Sequence, residues 1–367
     1  MKIKAAVVYE KGGPFVIKEV DLADPKEDEV LVKIAGCGVC HTDEGVRKGD
    51  IPLPFPIILG HEGSGIVEKV GTRVNRLAPG DHVIFSAYRC GECEFCLSGH
   101  PAECIHMVEG SFSGAYADGT RRHRDENGVE LHSFFSQSAF ATHVIANQNN
   151  TYKIDDDVDI ALMGPLSCGV NTGVGTVLNI IDPPAGSGIA VFGCGGVGLS
   201  GVMGAKIAAC TTIIGVDVVP SRLEMAKELG CTHTINGKEV EDVAGEILRI
   251  TGGAGIDNCF DTTGIPALIN AAIIAMKQLG KCAICAAMEE NIMDMRLTSR
   301  VRSEAKYLIG VTEGDSNYPF FLPKLVDFYK AGMLPFDKMT KYYGLEEIDR
   351  AFQDSLSGKV IKPIIRF

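Results

Sequence analysis

The stretch Ile189-Ala190-Val191-Phe192-Gly193-Cys194-Gly195-Gly196-Val197-Gly198 decides how the second half of this chain folds. Its apolar opening reads as a buried strand, its glycines fall in the pattern G-x-G-x-x-G, and small residues through Ala209 read as a helix. Thr212 to Val216 supply a second strand that ends at Asp217, 24 residues past Gly193. That is a βαβ unit with an acid where a dinucleotide ribose requires one. Gly193 permits the tight turn, Gly195 lets the backbone approach a pyrophosphate, and Gly198 lets the helix lie close on the sheet. The helix start at Gly196 and Val197 then offers unpaired N–H groups to the anion. Asp217 would accept ribose hydroxyls and repel a 2′-phosphate, which favours NAD over NADP. The competing reading makes Asp217 a helix cap before Pro220.

Strand and helix keep alternating downstream. Helices are expected over 221–229, 240–251 and 266–279, and strands over 256–261, 281–285 and 307–310, which together make a doubly wound parallel sheet. Upstream, short strands are expected at 5–9, 15–20, 30–35, 65–70, 81–85 and 141–146. Turns such as Lys11-Gly12-Gly13-Pro14 and Pro79-Gly80-Asp81 separate the early ones, the pattern of a small barrel-like β domain. The last fifty residues carry two amphipathic helices, 320–331 and 345–355, and a strand over 361–366 that return to the first domain.

Composition narrows the function. With 367 residues the chain fits two domains, and 46% hydrophobic with 22% charged residues suits an ordinary globular protein. A net charge of −12 argues against nucleic acid or an anionic membrane, since either needs a concentrated positive field. The N-terminal residues are interrupted by charge too soon for a secretory leader, and the most apolar stretch, 189–205, is short and broken by six glycines. A reducing cytoplasm is the expected setting for the thirteen cysteines.

Those cysteines cluster. Cys40 stands in Gly38-Val39-Cys40-His41-Thr42-Asp43, and two further donors, His61 and Cys168, lie in similarly glycine-rich settings. A Cys/His/Cys set leaves a zinc ion one open position for water or substrate. Thr42 or Asp43 is placed to cap a brief helix there. Cys90-Gly-Glu-Cys93-Glu-Phe-Cys96, followed by Cys104, suits a closed tetrahedral Cys₄ site that braces its loop, the alternative being two adjacent disulfides. From 110 to 138 the sequence is polar, with Arg121-Arg122-His123-Arg124 at its centre read as a solvated loop. Phe134, Phe135 and Phe140 belong either to the core or to a pocket wall.

Taken together, Cys40-His41-Thr42-Asp43, Gly60-His61-Glu62-Gly63, the four-cysteine lobe, Gly164-Pro165-Leu166-Ser167-Cys168-Gly169, Gly193 to Gly198 and the closing Gly358-Lys-Val-Ile-Lys362-Pro resemble the zinc-containing medium-chain alcohol dehydrogenases. The resemblance spans nearly the whole chain. It implies an α/β protein with a GroES-like β-barrel catalytic domain, 1–169 and 312–367, its structural zinc lobe at about 88–106, and a Rossmann NAD-binding domain, 170–311.

Carried over by position, it makes Cys40, His61 and Cys168 catalytic zinc ligands and Cys90, Cys93, Cys96 and Cys104 structural ones, two zinc ions per chain. Asp43 matches the carboxylate that orients the ligating histidine. Glu62 matches a nearby acid, and Thr42 the hydroxyl that receives the substrate proton. His41 and Lys362 fall near the pyrophosphate, Arg222 near the adenosine ribose and Thr172 near the nicotinamide. Where some relatives carry a relay histidine, Gly45 stands here, so the proton leaves by ribose hydroxyl and water or through another residue.

The closest likeness is to aryl- and benzyl-alcohol dehydrogenases, from the stretch His132 to Ala141, Glu313 to Ser316 and Pro335-Phe336-Asp337. By register Ile51, Phe134 and Phe135 would line the substrate channel, which suits a benzylic, cinnamyl or allylic alcohol and its aldehyde. Relatives form homodimers and homotetramers. Competing substrates are a glutathione–formaldehyde adduct, a polyol or a bulky secondary alcohol such as a steroid. A reading of another class is a non-catalytic NAD-binding redox sensor.

Overall fold

The computed structural model describes residues 1–286 and 295–367. Ten strands come first: β1 (Lys2–Val8), β2 (Phe15–Leu22), β3 (Glu29–Gly38), β4 (Ile57–Ile58), β5 (Glu62–Val70), β6 (His82–Phe85), β7 (His123–Arg124), β8 (Glu130–Leu131), β9 (His143–Asn147) and β10 (Thr151–Lys153). Six follow in alternation with helices: β11 (Gly188–Phe192), β12 (Thr212–Asp217), β13 (His233–Asn236), β14 (Ile256–Asp261), β15 (Met276–Ile284) and β16 (Tyr307–Gly310). The chain closes with β17 (Thr340–Gly344) and β18 (Lys362–Arg366).

Two compact units result. One comprises Met1–Cys168, Asn317–Lys330 and Asp337–Phe367, the other Gly169–Ser316 and Ala331–Phe336. The first holds a five-stranded sheet in the order β4-β1-β2-β7-β8 and a seven-stranded one in the order β10-β6-β5-β3-β18-β17, with β9 also on β3. Strand β3 is central because three partners share it. It pairs β5 along its length, β9 at its start and β18 at its end, where Ile365 faces Cys37. The inward-facing Val30, Val32, Ile34, Val67, Phe85, Phe140, Val144 and Ile365 are fully or almost fully buried in one core. Each such side chain contributes about 1.5–3 kcal/mol.

The second unit is a six-stranded parallel sheet in the order β13-β12-β11-β14-β15-β16, the doubly wound order with its reversal beside β11. Ala190, Phe192, Ile214, Val216, Cys259 and Cys282 fill its core. The zinc-dehydrogenase fold class expected from sequence, barrel plus doubly wound sheet, is what the chain adopts.

Three local expectations need correction. The helix expected over 266–279 ends at Ala275, and strand β15 starts at Met276, which pairs with Ile256 ahead of a register shift. Leu279 in that strand has φ +62 and lies exposed, so 276–279 is an irregular strand rather than a helix end. Strand β13, the polar His-Thr-Ile-Asn, was not expected at all, because only Ile235 of its four residues is fully buried.

The basic run at 121–124 is not a solvated loop. Arg122 is buried between Glu29 and Asp118 with its guanidinium 4.5 Å from the centre of the Tyr116 ring, and His123 is fully buried on β7. Arg121 and Arg124 both pair with Glu130 of β8. No single helix among the described residues is long and apolar enough to cross a membrane.

Candidate active site

The donors sit where the barrel strands end. Strand β3 delivers Cys40 two residues beyond its last residue, Gly38, and β5 begins at Glu62, immediately after His61. The helix His41–Lys48 starts at Cys40, and Asp43, three residues in, accepts the Cys40 N–H at 3.2 Å. Asp43 thus closes the first turn, as a capping residue does, while its other oxygen accepts the Gly60 N–H at 2.9 Å and lies 3.1 Å from His61 Nδ1. With Nδ1 bonded to a carboxylate, the imidazole presents Nε2 as its free lone pair.

That Nε2 is buried and has no partner. An orphaned buried nitrogen is costly unless something fills the place it faces. What it faces is a donor group: one ligand atom each from Cys40, His61, Glu62 and Cys168 lies within 4.8 Å of the others. The residues therefore fit a zinc ion. Electrostatics at Cys40 agree with this. The hydrogen bond with Cys168, together with the charges of His61 and Lys362, holds the Cys40 thiol well below its ordinary range despite burial. At His61 burial works against the charged ring, but the Asp43 carboxylate outweighs it and raises its titration well above the usual value, so a metal ion binding at Nε2 displaces a proton there.

Glu62 has a partner far away in sequence. Its fully buried carboxylate is bound by Lys362 Nζ at 2.8 and 3.0 Å, and the same ammonium donates to Val39 O at 3.2 Å. Burial pushes the Glu62 carboxyl up to about 7 against the pull of Lys362. The ammonium of Lys362, expected near a pyrophosphate, is buried and paired with Glu62. Thr42 Oγ1 lies 3.6 Å from Cys40 Sγ. At Gly45 an added Cβ would come within 3.2 Å of Ile51 Cδ1, so Ile51 occupies the neighbourhood a larger side chain would need. His41 is exposed at the helix start.

Phe134 and Phe135 are both buried and pack on His61 itself. Phe135 stacks at a centroid distance of 4.5 Å and Phe134 meets the imidazole edge-on at 5.4 Å. Both rings belong to the core cluster beside the donors.

The second cysteine group is as compact. Cys90 Sγ lies 4.0 Å from Cys96 Sγ and 3.6 Å from Cys104 Sγ, and Cys93 Sγ lies 4.0 Å from Cys104 Sγ. A tetrahedron of Zn–S bonds of about 2.3 Å has edges of about 3.8 Å, whereas a disulfide needs about 2.05 Å. None of the four is in a disulfide. The N–H groups of Cys90 and Cys93 donate to neighbouring sulfurs at 3.3 Å, which stabilises thiolates. The Cys₄ zinc reading fits, and the disulfide alternative does not.

In the doubly wound unit the glycine turn has the expected form. Gly193 takes φ +88, and a Cβ on Gly198 would lie only 1.7 Å from Gly193 O, so the helix Gly196–Ile207 can close on the turn only without one. A Cβ on Gly195 would meet nothing within 4 Å, leaving an open cradle at the helix start of the kind a pyrophosphate fills. Asp217 Oδ2 accepts the Cys194 N–H at 2.7 Å, and Oδ1 accepts the N–H groups of Val218 and Val219 at 2.7 and 2.9 Å. A carboxylate has about four acceptor positions, so about one remains for a ribose hydroxyl. Arg222 Nη1 lies 3.9 Å from the same carboxylate. Thr172 is buried in the helix Gly169–Gly175. Burial, with Cys231 and Asp217 nearby, pushes the Cys194 thiol well up, which leaves it protonated and unreactive.

Comparison with known proteins agrees with this arrangement. Residues 26–156 match the alcohol dehydrogenase GroES-like domain, and residues 196–327 match the zinc-binding dehydrogenase domain. The chain is 38% identical to a geraniol dehydrogenase of Castellaniella defragrans, over 99% of this chain and 97% of that one. It is 35% identical to an S-(hydroxymethyl)glutathione dehydrogenase of Escherichia coli over the whole of both. The crystal structure of benzyl alcohol dehydrogenase from Acinetobacter calcoaceticus superposes with a TM-score of 0.94 at 39% identity, covering 100% of this chain and 99% of that one. The chain thus belongs to the zinc-containing medium-chain alcohol dehydrogenases, oxidoreductases that use zinc and NAD and act on CH–OH groups.

Proposed function

We propose that this enzyme reversibly oxidises an alcohol whose carbinol carbon is benzylic or allylic, giving the aldehyde and NADH. The observation that carries the reading is the meeting of Cys40, His61 and Cys168 next to an aromatic cluster of Phe112, Phe134 and Phe135. The relative that acts on geraniol, an allylic alcohol, and the one that acts on benzyl alcohol support the same substrate class.

In this reading Cys40, His61 and Cys168 hold the catalytic zinc, and Cys90, Cys93, Cys96 and Cys104 the structural one. Bound zinc supplies Lewis acidity that brings an alcohol hydroxyl toward ionisation near neutral pH. Thr42 Oγ1 receives the alcohol proton. Gly45 offers no side chain to take it further, so it leaves through a ribose hydroxyl and water. Asp43 fixes the His61 tautomer, and Lys362 balances the charge of Glu62 beside the donors. Ile51 borders the substrate. Gly193, Gly195, Gly196, Val197 and Gly198 receive the pyrophosphate, while Asp217 and Arg222 take the adenosine ribose and Thr172 the nicotinamide. Residues 1–169 and 312–367 serve as the catalytic domain and 170–311 as the coenzyme domain.

Steady-state turnover with benzyl, cinnamyl and geranyl alcohols against a polyol, a steroid alcohol and S-(hydroxymethyl)glutathione tests this. Highest kcat/KM on the first three is expected. Highest kcat/KM on the glutathione adduct would favour the second reading, which the relatives of that name at 35% identity support.

A further inference from the structure

His61 is held on three sides. Asp43 fixes Nδ1, but a hydrogen bond at one nitrogen leaves a ring free to rock about that contact. Phe135 removes this freedom from the face, with its ring inclined by only 28° to the imidazole, and Phe134 does so from the edge at 87°. Phe112 backs both rings at 5.7 and 5.0 Å.

Phe135 reaches this position through an unfavourable backbone. Phe135, Ser136 and Ser138 take φ of +52, +50 and +57, the left-handed region that side chains with a Cβ avoid. Such a conformation persists only where its surroundings over-determine it. Here the Phe135 N–H donates to Ser111 O at 2.9 Å, Ser136 Oγ to Gly110 O at 2.7 Å, and Ala139 N–H to Gly60 O at 2.7 Å. The Phe134 N–H donates to Ser138 Oγ at 3.0 Å, closing the turn on itself. Ser111 and Gly110 lie in the short helix Met107–Phe112, whose first N–H donates to Cys104 O at 2.9 Å. The strained turn is therefore pinned to the four-cysteine lobe at one end and to the residue before His61 at the other.

We propose that Phe135 is a positioning residue of the catalytic donor set: clamped by Ser136, its ring fixes the plane of the His61 imidazole so that Nε2 stays aimed between Cys40 and Cys168. This rests on reading Cys40, His61 and Cys168 as metal ligands. The role differs from that of a pocket wall, because it acts on the metal site whether or not a substrate is present.

The test uses holoenzyme with Co(II) exchanged into the catalytic site, in Phe135→Leu, which keeps an apolar side chain without the flat face, and in Ser136→Ala, which keeps the ring but removes its clamp. The readouts are the cobalt d–d spectrum and the rate of metal release to a chelator. Phe135→Leu is expected to change the band pattern and to release metal about tenfold faster, as loss of a ligand's supporting partner does. Ser136→Ala is expected to move both readouts in the same direction by less. Wild-type spectra and release rates in folded variants would overturn the proposal, even if their thermal stability fell, and Ser136→Ala decides alone should Phe135→Leu not fold. His61→Ala is run alongside: if it retains cobalt at wild-type occupancy the ligand reading itself fails, whereas its loss of cobalt beside an unaltered Phe135→Leu removes only the positioning role.

Discussion

Asp43 carries two tasks with one carboxylate, closing the first helical turn at Cys40 and holding His61 Nδ1. Asp43→Asn keeps the size but has one acceptor oxygen for what are now three contacts. Zinc affinity at the catalytic site should fall about 10–100-fold, measured by competition with a chelator; unchanged affinity would reduce Asp43 to a helix cap. Asp217→Gly should raise kcat/KM for NADP relative to NAD, because the carboxylate that would repel a 2′-phosphate is gone. If the coenzyme ratio stays where it was, Asp217 serves only the Cys194, Val218 and Val219 N–H groups it already binds. Both assignments were legible because each depends on residues close in sequence to a recognisable spacing. The Glu62–Lys362 pair was not, since its partners lie 300 residues apart and only the pairing of β18 with β3 brings them together. Nor was the stack of Phe135 on His61, which depends on a left-handed backbone that no residue type announces.

At the scale of elements, the glycine turn and the β7–β8 hairpin make opposite kinds of prediction. Gly195 has open space where a Cβ would go and an ordinary backbone conformation, so Gly195→Ala should leave thermal stability of the coenzyme-free protein nearly unchanged. NAD affinity, read by calorimetry, should nevertheless fall about tenfold or more, because the methyl group occupies the cradle; equal affinity would move the pyrophosphate elsewhere. On β7, His123 is buried with neither ring nitrogen partnered, and burial together with Arg122 pushes it down to about 4 from 6.5. Between those values the unfolded chain binds the proton and the folded one does not. Stability is therefore complete above pH 6.5 and is lost as pH falls toward 4, by about 3 kcal/mol. Urea unfolding across that range should show a shallower pH slope in His123→Leu than in wild type, and an equal slope would assign the acid sensitivity elsewhere. Strong periodicity made β11, β12 and β14 readable in sequence. The hairpin was missed because four charged or polar residues in a row look solvated, although Arg122 finds Glu29 across 93 residues.

For the whole molecule, the fold gathers both chain ends into the unit that holds the donor set and inserts a doubly wound sheet between them in sequence. The outer edge of that sheet, β16, has no strand beyond it among the described residues, and Tyr307 on it is exposed. Such an edge invites pairing with another chain. The homodimer or homotetramer expected from the family resemblance should appear in light scattering at two or four times the 39.2 kDa of one chain; a mass of one chain would make the edge solvent-covered. The architecture was legible because two of its parts carry dense local signals, the cysteine groups and the glycine turn, and because the alternation of strand and helix between 189 and 310 leaves few topologies. The central claim is that Cys40, His61 and Cys168 share one zinc ion. The most direct measurement is an anomalous-difference map at the zinc absorption edge from crystals of the purified protein. Two peaks per chain are predicted, one among those three side chains and one inside the Cys90, Cys93, Cys96 and Cys104 cluster, whereas a single peak at the four cysteines in fully metallated, active protein would contradict the account.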